Sequence, residues 1–299
     1  MSRLRVTIDD ALFGQESAAR LVTTQRLLAT AIAIRLTLTP FTRFTDVPDD
    51  LVFPVPFLWW LGAMPSREVI IALQIVGVVA ALLAAARRWP RAAFAVGWLC
   101  YLVLAALRAS RGKVLHNDLL LLWVGAIFLF APVPTHGRDR TPSRLYGWPV
   151  RTSIAMMALI YWLAAYHKLR RSGPAWVWGE NMEYVMRWAP FAGEPRLPDL
   201  AQWVGHHRPV AVLAAASILA LELLFPLVVW WKRARPMFAL TAVVLHLGTW
   251  LLLGLDYSMC IVTVPIVLID WSAVVAGLHS RRRERASAAP ASEPALNRG

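Results

Sequence analysis

The stretch YWLAAYHKLRRSGPAWVWGE, residues 161–180, holds the side chains best suited to chemistry. An aromatic, apolar run ends at His167 and Lys168, and a basic loop containing Trp176 and Trp178 follows. A lysine at the end of an apolar helix has two uses. It can reach into water as an interface anchor. Alternatively, tryptophans can cover it, which favours the neutral amine over the ammonium. A neutral amine can act as a general base toward an apolar, weakly acidic substrate. Arg170 and Arg171 lie close enough to push in the same direction. On these grounds alone both readings stay open.

Other ionisable groups fall inside apolar blocks, where they are costly and need a reason. Arg26 reads as an anchor at the inner interface, and Arg35 lies deeper in the same block. Arg35 either snorkels outward or pairs with a buried carboxylate. Glu222, in LALELLFPLVVWW, is the expected partner because both lack any other. Pro226 follows Glu222 by one turn and blocks the helical bond to the carbonyl of residue 222, so a kink is expected there. His246, in AVVLHLGTWLLLG, has no neighbour at metal-ligand spacing; it is a packing residue or a pocket residue. Asn117 and Asp118 open another block and could cap its helix or face a pocket. Cys100 and Cys260 both sit in apolar blocks and support neither a disulfide framework nor a metal site. No metal is expected.

The elements that carry these residues follow from composition. The chain has 299 residues, 58% of them hydrophobic, with 15 tryptophans, and a mean hydropathy of +0.52. A helix needs roughly 20 apolar residues to cross a bilayer. Eight candidate spans are expected, near residues 23–40, 68–86, 91–108, 117–132, 151–168, 209–231, 236–254 and 258–276. The fold class is therefore an all-α, polytopic transmembrane bundle. Residues 1–22 form an N-terminal arm, 23–278 the membrane domain and 279–299 a disordered basic tail. LVFPVPFLWWLG, residues 51–62, is apolar but too short and proline-rich to span, and reads as an interfacial piece.

The net charge of +13 is spread in short basic runs between apolar blocks, as in RRWPR (87–91) and KRAR (232–235). Such runs mark cytoplasmic loops rather than a nucleic-acid surface. Both termini are thus expected in the cytoplasm of a multi-pass cell-membrane protein, with Lys168 at the outer face. No secretory signal and no internal repeat is evident.

At these residues a family resemblance becomes visible. YWLAAYHKL followed by WVWG resembles the lysine-containing signature of the HTTM family, which includes the vitamin K-dependent gamma-glutamyl carboxylases. HNDLLLLWVGAIFLFAP (116–132), LELLFPLVV and LHLGTWLLLGLDYSMCIVTVPIVLIDW (245–271) resemble other helices of that family, in the same order. The likeness runs over roughly residues 20–280. It implies Lys168 as the base that deprotonates a reduced quinone of the vitamin K or menaquinol type. His246, Asn117, Asp118, His167, Trp176, Trp178, Glu222 and Arg35 are then candidate pocket residues. Two departures matter: the chain lacks the carboxylases' large extracytoplasmic domain, and it has His167-Lys168 where they carry a lysine pair. The small relatives include SdpB-type partners of secreted peptide toxins. A non-catalytic role with a secreted or membrane peptide in maturation, export or immunity is the alternative.

Overall fold

A computed structural model describes residues 2–46, 48, 51–110 and 117–288. Asp49, Asp50, residues 111–116 with His116 of the HNDLLLL motif, and the tail from residue 289 lie outside the described residues.

The chain is helical, with a single two-residue strand pair among the described residues. The N-terminal arm is a helix, α1 (Ser2–Phe13). Strand β1 (Glu16–Ser17) then pairs antiparallel with β2 (Pro142–Ser143). Helix α2 (Ala18–Leu38) is capped by the Ser17 hydroxyl, which accepts from the Arg20 N–H at 3.1 Å. Helices α3 (Arg67–Ala85) and α4 (Pro90–Ala109) form a hairpin. Its turn places Arg87 and Trp89 at positive φ, with Pro90 fitted to the first helical position of α4. Small residues let these helices close: a Cβ on Gly97 would lie 3.0 Å from the Ala81 backbone nitrogen.

Helix α5 (Leu119–Leu129) is short, and α6 (Arg144–Ser172) is 29 residues long. The stretch 169–208, read from sequence as a loop, contains α7 (Ala175–Trp178), α8 (Asn181–Ala192) and α9 (Pro198–His206). Helix α9 meets α10 (Arg208–Leu224) at a bend of 102°. The expected break at Pro226 is present: α10 ends before it and α11 (Leu227–Trp230) restarts after it. Helices α12 (Arg235–Leu253), α13 (Ser258–Leu268) and α14 (Trp271–Ala288) complete the chain.

Four segments are long and apolar enough to cross a membrane: α2, α3, α4 and Lys232–Leu253. The number rises to six if each bent pair counts as one span. The expected eighth span, 258–276, falls on the bent pair α13 and α14, one of the two pairs that pass only when their halves are taken together. The chain bends by 69° after Leu268, and at the start of the next helix the Asp270 carboxylate accepts from the Ala273 N–H. Residues 279–288, where a disordered tail was expected to begin, continue that helix.

Only 28% of the apolar window in α3 is buried, and 17% of that in Lys232–Leu253. Ile71, Ile75, Val79 and Leu82 of α3 are all exposed. Apolar surface on this scale needs a non-aqueous neighbour. In the 51–62 segment, Trp59 and Trp60 are likewise exposed, as an interfacial piece requires.

Candidate functional site

Lys168 stands in the wall of a cavity of about 410 Å³. Helix α6 brings Tyr161, Ala164 and Lys168 to it, residues spaced to share one helical face. Helix α10 adds Ile218 and Glu222, and α12 adds Leu245, His246 and Thr249. Trp176 of α7, Leu119, Leu120 and Trp123 of α5, and Tyr257 and Cys260 close the rest.

Two polar pairs sit in this largely apolar space. The Lys168 Nζ donates to both carboxylate oxygens of Glu222, at 2.6 and 2.7 Å. The same ammonium lies 5.2 Å from the centre of the Trp176 ring, a cation–π distance. Tyr161 Oη and His246 Nε2 share a hydrogen bond of 2.6 Å. The Tyr161 ring stacks on Phe225 at 4.0 Å, and the His246 ring stacks on Tyr257 at 5.3 Å. Packing on these faces fixes the orientation of both rings.

Arg35 does not meet Glu222, which corrects the expected pairing. Its Nε donates to Asp118 Oδ1 at 2.9 Å, and its Nη1 to Asp256 Oδ2 at 2.9 Å. Arg108 donates to Asp118 Oδ2 at 3.2 Å, and the Tyr101 hydroxyl donates to Asp118 Oδ1 at 2.7 Å. Two arginines thus balance two aspartates in a closed network. Asp118 holds the N-cap position of α5 but makes no side-chain capping bond, since its oxygens are used by these donors. Asn117 donates through Nδ2 to Asp256 at 3.1 Å.

Asp256 lies in the turn between α12 and α13. Burial works against its ionisation, but the Ser258 hydroxyl and the Arg35 charge prevail and bring its pKa down to about 2. Gly254 makes the turn possible. It adopts φ 68°, and a Cβ there would come within 2.6 Å of the Glu194 backbone. Glycine alone fits such a position without strain.

Lys168, Glu222, His246 and Trp176 therefore share one cavity. Asn117, Asp118 and Arg35 do not line it; they belong to the arginine–aspartate network beside it. The two features touch where the Asn117 carbonyl accepts from Cys260 Sγ at 4.0 Å. His167 and Trp178 are corrected as pocket residues. Both are exposed, His167 because consecutive residues on a helix point about 100° apart. Tyr161 and Tyr257 were not singled out from sequence, and Cys260 was noted only as a cysteine in an apolar block. Only the seven-residue spacing of Tyr161 from Lys168 could have pointed to one of them. Among the described residues no group of three or more His, Cys, Asp or Glu side chains could hold a metal ion.

The chain matches no protein-family model, no curated protein and no solved structure at a significant level.

Proposed function

We propose that this is a multi-pass protein of the cell membrane that draws a lipophilic hydroquinone of the vitamin K or menaquinol type into the α6–α10–α12 cavity. There the Lys168–Glu222 pair takes its hydroxyl proton. The observation that carries this reading is the acid–base pair itself, set in an apolar cavity that also holds a second proton-bearing pair, Tyr161–His246. Ligand cavities of this kind are mostly apolar with a few convergent polar groups. Perturbable pairs within them are candidate acid–base groups.

The pair changes how the base works. A lone amine would have to be neutral before it could accept a proton. Here the Glu222 carboxylate accepts the proton from a hydroxyl placed against the pair. The Lys168 ammonium, released from one carboxylate oxygen, then holds the negative charge left on the substrate oxygen. Tyr161 and His246 can exchange a proton with a second polar group of the same ring. A bound hydroquinone would supply the redox chemistry; the chain supplies base, counter-charge and a water-poor pocket.

The proposed topology has eight passages, by α2, α3, α4, α5, α6, α10–α11, α12 and α13, with both ends in the cytoplasm. The basic runs at 87–91 and 232–235 support that orientation.

The test uses purified protein in lipid nanodiscs with reduced menaquinone and oxygen. Loss of the hydroquinone should be seen with wild type. It should fall by at least about a hundredfold in Lys168→Ala and Glu222→Gln, as expected for removal of a general base. Circular dichroism and size-exclusion profiles should stay unchanged. Failure of the wild-type protein to bind or consume any hydroquinone, or full activity in either variant, would overturn the proposal.

A further inference from the structure

At the end of the bundle that carries α1, four cations surround one carboxylate. Glu16 Oε2 accepts from Arg20 Nη1 at 2.8 Å. Its other oxygen lies 3.8 Å from Lys232 Nζ and 3.9 Å from both Arg151 Nε and Arg235 Nη1. Arg20, Arg151 and Arg235 are 5%, 7% and 3% exposed, so this positive excess is buried. Backbone carbonyls of Val267, Asp10, Val228 and Val229 take some of the guanidinium hydrogens. Asp10 gives its carboxylate to Arg144 instead. Arg20 Nε, Arg151 Nε and Arg151 Nη1 have no hydrogen-bond partner among the described residues, and Glu16 Oε1 is the one acceptor in the cluster that is likewise unpartnered. Buried cationic N–H groups without acceptors are costly, and four cations around one carboxylate call for a further anion.

An apolar groove of about 380 Å³ adjoins this cluster. Leu12 of α1, Ala155, Leu159 and Trp162 of α6, and Val229 and Trp230 of α11 line it. None of the four cations lines the groove, but the two features are neighbours. Arg151 stands one turn before Ala155 on α6, and the carbonyl of Val229 accepts from Arg235. Lys232 is the exposed member of the cluster, with a side chain 59% accessible. Trp230 and Trp231 beside it are also exposed, as tryptophans at headgroup level are.

We propose that this is a binding site for an anionic phospholipid, its phosphate at Lys232 and the buried arginines and an acyl chain in the α1–α6–α11 groove. The cluster accounts for the phosphate. The adjoining groove selects a lipid over a free anion, since inorganic phosphate has nothing to place there. The site lies apart from the Lys168 cavity and does not depend on its chemistry.

The test is native mass spectrometry and thermal unfolding of the full chain, delipidated in neutral detergent. Phosphatidylglycerol, phosphatidylcholine with the same chains, and inorganic phosphate are added separately. Phosphatidylglycerol should be retained and should raise the unfolding temperature, with phosphatidylcholine and phosphate much weaker. Lys232→Gln, an exposed change, should lower phosphatidylglycerol affinity about fivefold, the worth of one cation at a membrane surface. Ala155→Trp should lower retention by filling the groove. Equal retention of the two lipids overturns the proposal, as does a phosphate effect equal to that of phosphatidylglycerol. Wild-type retention in both variants overturns it too.

Discussion

Substituting Lys168 by methionine strands Glu222, whose side chain is only 9% exposed, without its counter-charge. Substituting Glu222 by glutamine strands Lys168, but that side chain is 24% exposed and can turn toward water. The two changes should therefore cost different amounts. At the observed 2.6 Å, two unit charges attract by about 6 kcal/mol at an effective dielectric of about 20. Desolvation takes back several kcal/mol, so breaking such a pair from one side costs about 3–5 kcal/mol. We expect about 4 kcal/mol for Lys168→Met and about 2 kcal/mol for Glu222→Gln, the exposed partner relaxing more cheaply. The double variant Lys168→Met/Glu222→Leu fills the site with apolar groups and should cost only about 1–2 kcal/mol, leaving a coupling of about 4 kcal/mol. Equilibrium unfolding of the four proteins by dodecyl sulfate in mixed micelles at neutral pH measures the cycle. Single costs that add to within about 0.5 kcal/mol would show that the pair is not coupled. A larger loss from Glu222→Gln than from Lys168→Met would refute the burial argument.

Three further outcomes follow from the neighbouring residues. Asp256 has a folded-state pKa depressed from 3.8 to about 2, so its stabilisation is complete above pH 3.8 and is lost as pH falls toward 2. Its side chain is 35% exposed, so about 1 kcal/mol is expected after screening. An acid titration of unfolding should lose this component in Asp256→Asn. Tyr161→Phe keeps the stack on Phe225 but removes the bond to His246, and should cost about 1 kcal/mol in thermal or detergent unfolding. Gly254→Ala forces a Cβ against the Glu194 backbone at positive φ. It should destabilise by at least about 1–2 kcal/mol and reduce ligand binding in the cavity, as measured by calorimetry.

Lys168, Glu222 and His246 were legible because each is a polar group that interrupts or ends an apolar run, and Trp176 because it follows the lysine in a tryptophan-rich segment. Such interruptions can be seen in one dimension. Partner choice cannot. Arg35 and Glu222 were matched because both were unpaired within their own helices. Arg35 instead reaches Asp256 in a turn 221 residues away, and depth along a helix carries no information about which neighbour a side chain faces. His167 shows the same limit at close range: adjacent in sequence to Lys168, it points out of the cavity. The break at Pro226 was readable, since proline removes a specific bond. The bend after Leu268 was less so, because Asp270 acts as a cap only once the chain has already turned. The helices within 169–208 are short and rich in tryptophan and proline, and no long apolar run announced them.

The cavity's flank on α5 is formed by Leu119 and Trp123, which are 37% and 53% exposed. Both lie on an apolar helix rather than in a loop. If α5 crosses the bilayer as in the proposed topology, a ligand that approaches past these two residues moves sideways through the lipid and never passes through water. The concentration that governs occupancy is then mole fraction in the lipid phase, which for a strongly partitioning compound is set by the ratio of compound to lipid. Saturation curves plotted against total aqueous concentration should shift with the amount of lipid in the assay. Plotted against mole fraction, they should fall on one line.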